Sequence, residues 1–154
     1  ASKGTLDQAY PPLILASAAL AMGWEAGIFC TFYGLNIIHK ERLERLQVSP
    51  IGNPAMPPPL PWLPGLKVPN ALGALPGMTA VATLMMQGMM DKAQMPSIKS
   101  LLEVCVEGGV KLFACATTMG VMGIKQEDLI PQARCAGATT FLDYAAGADV
   151  SLFI

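Results

Sequence analysis

Residues 110–123, VKLFACATTMGVMG, constrain the fold of this chain more than any other stretch. A short apolar run ends on a cysteine, and two hydroxyl residues and two glycines follow. Such a run suits a strand buried on both faces, Lys111 to Cys115, that hands its last residue to a turn. In an open α/β sheet, reactive groups collect in the crevice beyond the carboxyl ends of the strands, which places Cys115 where chemistry occurs. A cysteine closing an apolar strand also packs well as a small hydrophobe, so position alone leaves both readings of Cys115 open.

Length and composition narrow the setting. The 154 residues form one expected domain, long enough to bury a substantial core. Hydrophobic residues make up 53% and charged ones only 14%, against roughly 25% charged in ordinary soluble domains. With a mean hydropathy of +0.46, the surface needs cover beyond a monomer's own core. A net charge of -1 without a basic cluster argues against nucleic acid, whose phosphates demand concentrated Lys and Arg. His39, Lys40, Arg42 and Arg45 do fall together, but Glu41 and Glu44 are interleaved, which reads as an exposed helical face. Cys30, Cys105, Cys115 and Cys135 show no C-x-x-C spacing and there is one histidine, so no zinc site and no cofactor are expected. Ala1-Ser2-Lys3-Gly4 does not have the form of a signal peptide, which makes a cytoplasmic setting with reduced thiols the expectation.

Along the chain, a helix is expected over 7–22 with Thr5 as cap, Pro11 and Pro12 in its early turns and Gly23 closing it. Residues 24–33 read as a buried strand ending at Gly34, with Cys30 in the core, and 36–46 as a short helix. Residues 48–69 hold eight prolines among twenty-two residues and read as an extended arm. The twenty-three residues of 68–90 carry no charge and include five methionines. Pro76 and Gly77 start the helix proper there, leaving about 15 residues at 76–91, short of the roughly 20 needed to cross a bilayer. A subunit interface is the expected cover for this Met-rich helix, and a membrane surface the alternative.

Ser97 caps a further helix in which Ile98, Leu101, Leu102, Cys105 and Val106 share one face and Gly108 and Gly109 end it. A turn at 126–130, a helix at 136–146 and a last strand at 149–154 complete the chain. The alternation predicts an α/β fold, a three-layer, doubly wound, mostly parallel sheet of flavodoxin-like form. Ser2-Lys3-Gly4-Thr5 looks like the loop after a strand, so the first strand is expected before residue 1.

Five ordered motifs carry a resemblance that covers nearly the whole chain: Ser2 to Asp7, Phe32-Tyr33-Gly34-Leu35, Gly52-Asn53-Pro54-Ala55-Met56-Pro57, Pro76-Gly77-Met78, and Phe113-Ala114-Cys115 with Val121-Met122-Gly123-Ile124. Together they resemble the DsrE/DsrF-like sulfur-trafficking family, and within it the branch termed predicted peroxiredoxins. The resemblance implies a doubly wound, DsrE-like fold, homo-oligomerisation, and a cysteine that carries sulfane sulfur as a persulfide; Cys115 occupies that position. It also raises Cys105, since some relatives have a second cysteine about ten positions earlier. Members of the branch often continue with Met-Ser-Met-Asp, where this chain has Thr117-Thr118-Met119-Gly120 and lacks the carboxylate.

Sulfur transfer needs a thiolate, so the site must lower the thiol pKa with donors. Thr117, Thr118 and the turn amides are candidates. Ser2, Lys3, Gly4 and Thr5 open a helix amino terminus suited to an anionic persulfide or thiosulfate, and Thr31 and Tyr33 would wall the site. The leading expectation is a sulfur relay exchanging with TusA-like or rhodanese-like proteins. The alternatives are a thiol peroxidase with Cys115 attacked and Cys105 resolving, and a non-catalytic oligomeric or membrane-associated scaffold.

Overall fold

Three short strands, β1 (Gly27–Cys30), β2 (Lys111–Cys115) and β3 (Ala133–Ala136), pair in parallel in the order β1-β2-β3. The computed structural model describes residues 1–49 and 75–154. These belong to two compact units, one built from 1–46 and 96–154 and the other from 47–95.

In the first unit the strand register sorts side chains into two faces, because successive residues of a strand point in opposite directions. Ile28, Leu112 and Ala133 form one row, and Cys30, Ala114 and Cys135 the next on that same face. All but the exposed Cys135 are buried, with Cys30 and Ala114 fully so. The opposite face carries Phe29 and Phe113, covered by α5 (Ala138–Ala145): Phe141 stacks on Phe29 with centroids 4.6 Å apart and meets Phe113 edge-on at 5.7 Å. With α5 on that side, α1 (Leu6–Ala21) and α3 (Ile98–Glu107), packed on each other, cover the first face. The sheet is thus wound on both sides.

Helix periodicity explains the α1–α3 contact. Leu6, Ala9, Tyr10, Leu13 and Ala16 recur at three- and four-residue spacing and are buried. On α3 the buried set is Ile98, Leu101, Leu102 and Cys105. The Ser97 hydroxyl accepts from the Ser100 amide at 3.1 Å, satisfying one orphan donor of the first turn as expected. Thr5 takes the N-cap position of α1 without a side-chain cap bond. The helix runs on through Pro11 and Pro12, which leaves the carbonyls of Asp7 and Gln8 without their usual i+4 amide.

Backbone pairing continues beyond β1. The Ala1 nitrogen donates to the Phe29 carbonyl at 2.9 Å, and Thr31 N–H donates to the Ala1 carbonyl at 3.0 Å, the alternation of a parallel ladder. Ser2 N–H donates outward to the Ile154 carbonyl at 2.7 Å. Loops leaving residue 2, β1 and β2 therefore emerge at one edge of the sheet.

Several local expectations need correction. The strand expected over 24–33 is confined to Gly27–Cys30, because Trp24 N–H still closes the end of α1 on the Ala19 carbonyl and Phe32 turns the chain with φ +47°. Residues 36–46 form no α-helix. They lie in 3₁₀ helices, Phe32–Ile38 and Leu43–Arg45, separated by an extended His39 that bridges antiparallel to Leu129. His39 is not on a surface helix; it is buried, and its Nδ1 accepts from the amides of Glu41 and Arg42 at 3.2 and 3.4 Å. Residues 149–154 form no strand, having only the Ile154 carbonyl paired, and Leu152 and Phe153 lie exposed. The strand β3 went unread because Ala-Arg-Cys-Ala lacks the β-branched run that marks a strand, and the following helix shortens from 136–146 to 138–145.

In the second unit the described residues centre on α2 (Met78–Lys92), close to the 76–91 expected. Gly77 precedes it with φ +89°, a conformation suited to glycine. The Val48 amide donates to Thr83 Oγ1 at 3.0 Å, and that hydroxyl donates to the Thr79 carbonyl at 2.8 Å. The proline-rich arm lies outside the described residues apart from Val48 and Ser49. Among the described residues, no helix is long and apolar enough to cross a membrane.

Candidate functional site

β2 ends on Cys115, which is also the N-cap residue of α4 (Ala116–Met122). The strand forms where the sequence places it because Leu112 and Ala114 bury on one face and Phe113 meets the α5 rings on the other. α4 then starts at once, so the chain turns away from the sheet with the Cys115 sulfur facing the first amides of the new helix.

Two hydroxyls and two backbone amides act on that sulfur. Burial pushes the Cys115 thiol up, but hydrogen bonds from the Thr118 hydroxyl, the Thr118 amide, the Thr31 hydroxyl and the Thr117 amide outweigh it, and the thiol falls below its ordinary value. Thr118 is itself buried, and its Oγ1 lies 2.9 Å from Thr31 Oγ1. Each hydroxyl has one proton, so when one of this pair donates to the other, the receiving hydroxyl keeps its proton free for the sulfur. Thr31 comes from the end of β1 and Thr118 from α4. The site is therefore closed by tertiary structure and not by the turn alone.

Cys105 is placed elsewhere. Its carbonyl accepts from Val110 N–H at 2.9 Å, which sets it beside the start of β2, while Cys115 ends that strand. Five residues at about 3.3 Å each separate the two ends, so the fold does not bring the two thiols together, and a disulfide needs Cα atoms within about 7 Å. Cys105 is fully buried, donates to the Leu13 carbonyl at 3.5 Å, and is pushed up by burial. Cys30, also fully buried, is pushed up by desolvation to about 12. Cys135 is exposed on β3.

Ser2, Lys3, Gly4 and Thr5 gather on the far side of β1 from Cys115. Ser2, through Ile154 and Gly34, ties the first loop into the sheet edge. Gly4 lies so close to the Tyr33 carbonyl that a Cβ would clash, and Gly34 meets the Ala1 carbonyl in the same way, so the 1–5 and 31–34 loops interlock. Lys3 is exposed, and Thr5 precedes α1. Tyr33 shows 66% of its surface. Thr31 and Thr118 thus join Cys115 directly, Thr117 through its amide, while Ser2, Lys3, Gly4 and Thr5 stand one strand away.

One feature of this edge escaped the sequence reading. Phe32 has φ +47°, a left-handed backbone that in a bulky residue costs on the order of 1–3 kcal/mol. Gly34 supplied the visible turn signal, two positions later, and nothing local marks Phe32 as the residue that turns. Two open pockets of this unit, of about 570 Å³ beside Gln126 and Pro131 and about 420 Å³ beside Leu102 and Ile130, are lined by neither Cys115 nor its threonines. Among the described residues no group of three His, Cys, Asp or Glu side chains is placed to hold a metal ion.

Comparison with known proteins adds an independent finding. Residues 1–153 match the model of the DsrE/DsrF/DrsH-like family. The chain is 41% identical over 157 aligned residues to the sulfur carrier protein DsrE2 of Allochromatium vinosum, covering 100% of this chain and 94% of that protein. It is 31% identical to the uncharacterized protein YrkE of Bacillus subtilis, covering 98% of this chain and 91% of that one.

Proposed function

From its place in the DsrE/DsrF/DrsH-like family, to which the chain belongs, we propose that it is a sulfur-relay protein carrying sulfane sulfur as a persulfide on Cys115. The observation that carries this reading is the placing of Cys115 at the carboxyl end of β2 and at the N-cap of α4, where the Thr31–Thr118 hydroxyl pair and the helix amides lower its thiol despite burial. The similarity to a protein named as a sulfur carrier supports it.

The chemistry follows from the sulfur's surroundings. Cys115 as thiolate attacks the outer sulfur of a donor persulfide, R–S–SH. The donor S–S bond breaks, its electron pair leaves with R–S⁻, and a new S–S bond forms to give Cys115–S–SH. No electrons are exchanged with a further reagent. The donors that stabilise the starting thiolate also stabilise Cys115 as leaving group when the sulfur is passed on, so one arrangement serves loading and delivery. TusA-like and rhodanese-like proteins are the proposed exchange partners. A homo-oligomer is part of the same reading, supported by the exposed Ile14, Leu15, Met22 and Trp24 of α1 and its end.

The test is intact-protein mass spectrometry of the reduced chain after incubation with polysulfide, with each cysteine replaced in turn. A gain of sulfur atoms that vanishes only without Cys115 is the expected result. Undiminished gain in Cys115→Ser sinks the assignment.

A further inference from the structure

Among the described residues only Phe32 and Gln94 are non-glycine residues with positive φ. Gln94 follows the end of α2, an ordinary place for a left-handed residue. Phe32 has no such excuse: it opens a 3₁₀ helix directly after Thr31. The backbone around it is held in place by Thr31 N–H on the Ala1 carbonyl and by Gly34 N–H on the carbonyls of Thr31 and Ser2, at 3.0, 2.9 and 3.2 Å. The ring itself gains little from the interior, since 57% of the residue is exposed. Strain held by the surroundings, without burial of the side chain that suffers it, is the pattern of a residue kept for a purpose outside the fold.

The place of Phe32 in the chain suggests that purpose. The Thr31 hydroxyl lies 2.9 Å from that of Thr118 and helps to lower the Cys115 thiol, and Phe32 is the next residue, one Cα step of about 3.8 Å away. Tyr33 follows, also exposed, and residues 29–38 carry no charge. The segment that leaves β1 after Thr31 is therefore aromatic and neutral. Cys115 is only 8% exposed, so an incoming sulfur has to be guided to it within about 3–3.5 Å. A small thiol diffuses in unaided, whereas a protein thiol must be held in register, and exposed aromatic anchors are where protein interfaces concentrate their binding energy.

We infer that the Phe32 ring is the anchor on which a thiol-bearing partner protein docks to exchange sulfur with Cys115, an inference that rests on the sulfur-relay reading above. In delivery, the partner's thiolate attacks the outer sulfur of Cys115–S–SH, the persulfide S–S bond breaks, the pair returns to Cys115 as thiolate, and the sulfur leaves as the partner's persulfide. The ring supplies orientation, and Thr31, Thr117 and Thr118 receive the returning charge.

The experiment loads the full chain with polysulfide, removes the excess, and follows transfer by intact mass to two acceptors in parallel, a reduced TusA-like carrier protein and glutathione. The variants are Phe32→Gly and Phe32→Asn, both at ease at positive φ, and Phe32→Tyr, which keeps a ring. Transfer to the carrier protein is expected to slow at least ten-fold in Phe32→Gly and Phe32→Asn, with glutathione changed less than two-fold and Phe32→Tyr close to the parent. If Phe32→Gly fails to fold, Phe32→Asn carries the test. Equal slowing with both acceptors, or none with either, overturns the docking role while leaving the relay intact. So does a parent that delivers to glutathione and not to the carrier. A parent that takes up no sulfur at all overturns both readings.

Discussion

Cys105 and Cys115 stand ten residues apart at the two ends of β2, both buried, and the protein treats them oppositely. The sulfur of Cys105 faces the Leu13 carbonyl, an acceptor, so the thiol must keep its proton to make its bond, and burial raises its pKa. The sulfur of Cys115 faces hydroxyls and amides, which bond best to an anion, and its pKa falls although burial works against it. Depth below the surface therefore does not decide which thiol ionises. The polarity of the groups that meet the sulfur does.

The sharpest way to break this comparison is to remove each sulfur. Cys115→Ser is expected to lower sulfur uptake from polysulfide more than a hundred-fold and Cys105→Ala less than two-fold, read by intact mass; comparable losses would erase the distinction. Next in size is the donor set. Thr118→Val should raise the pKa of Cys115, so that alkylation by iodoacetamide near neutral pH slows several-fold, with Thr118→Ser restoring it. The parent's alkylation rate should hold to below the ordinary thiol pKa of 9.0 as pH falls, then decline.

The other side of the comparison is tested by alkali. Cys30, raised to about 12, and Cys105, also raised, stay neutral when folded while the unfolded thiols ionise near 9. A folded pKa above the unfolded one gives stability that is complete below the unfolded value and lost as pH rises toward the folded one. Unfolding free energy should thus fall above pH 9, by up to about 1.4 kcal/mol per pH unit for each such thiol, and Cys30→Ala should flatten the slope in urea titrations. At neutral pH, Cys105→Ala should cost about 1 kcal/mol through the small cavity it leaves between α1 and α3. The smallest effect belongs to Phe32→Gly, where relief of backbone strain and the extra freedom of the unfolded chain nearly cancel, each about 1 kcal/mol. A melting temperature within about 3 °C of the parent is expected.

What was legible in the linear chain was whatever is written locally. β2 and its terminal Cys115, the Ser97 cap and the apolar stripe of α3, and the closing of α1 at Gly23 all follow from apolar spacing and capping chemistry within a dozen residues. The motifs Ser2 to Asp7 and Phe113-Ala114-Cys115 pointed to the family that the whole-chain match bears out. Thr31 and Thr118 stand out in the sequence as hydroxyl candidates, but nothing there signals the bond between them.

Contacts across the fold decided the rest. β3 exists because β2 offers Ala-Arg-Cys-Ala a partner strand, not because those residues favour extension. His39 is buried because Leu129, ninety positions on, pairs with its backbone. The difference between Cys105 and Cys115 arises the same way, since Leu13 reaches one sulfur from α1 and Thr31 the other from β1. Local periodicity specifies where a thiol sits along an element; whether that thiol holds or loses its proton depends on donors and acceptors that chain folding brings from distant positions, and no short-range pattern encodes those.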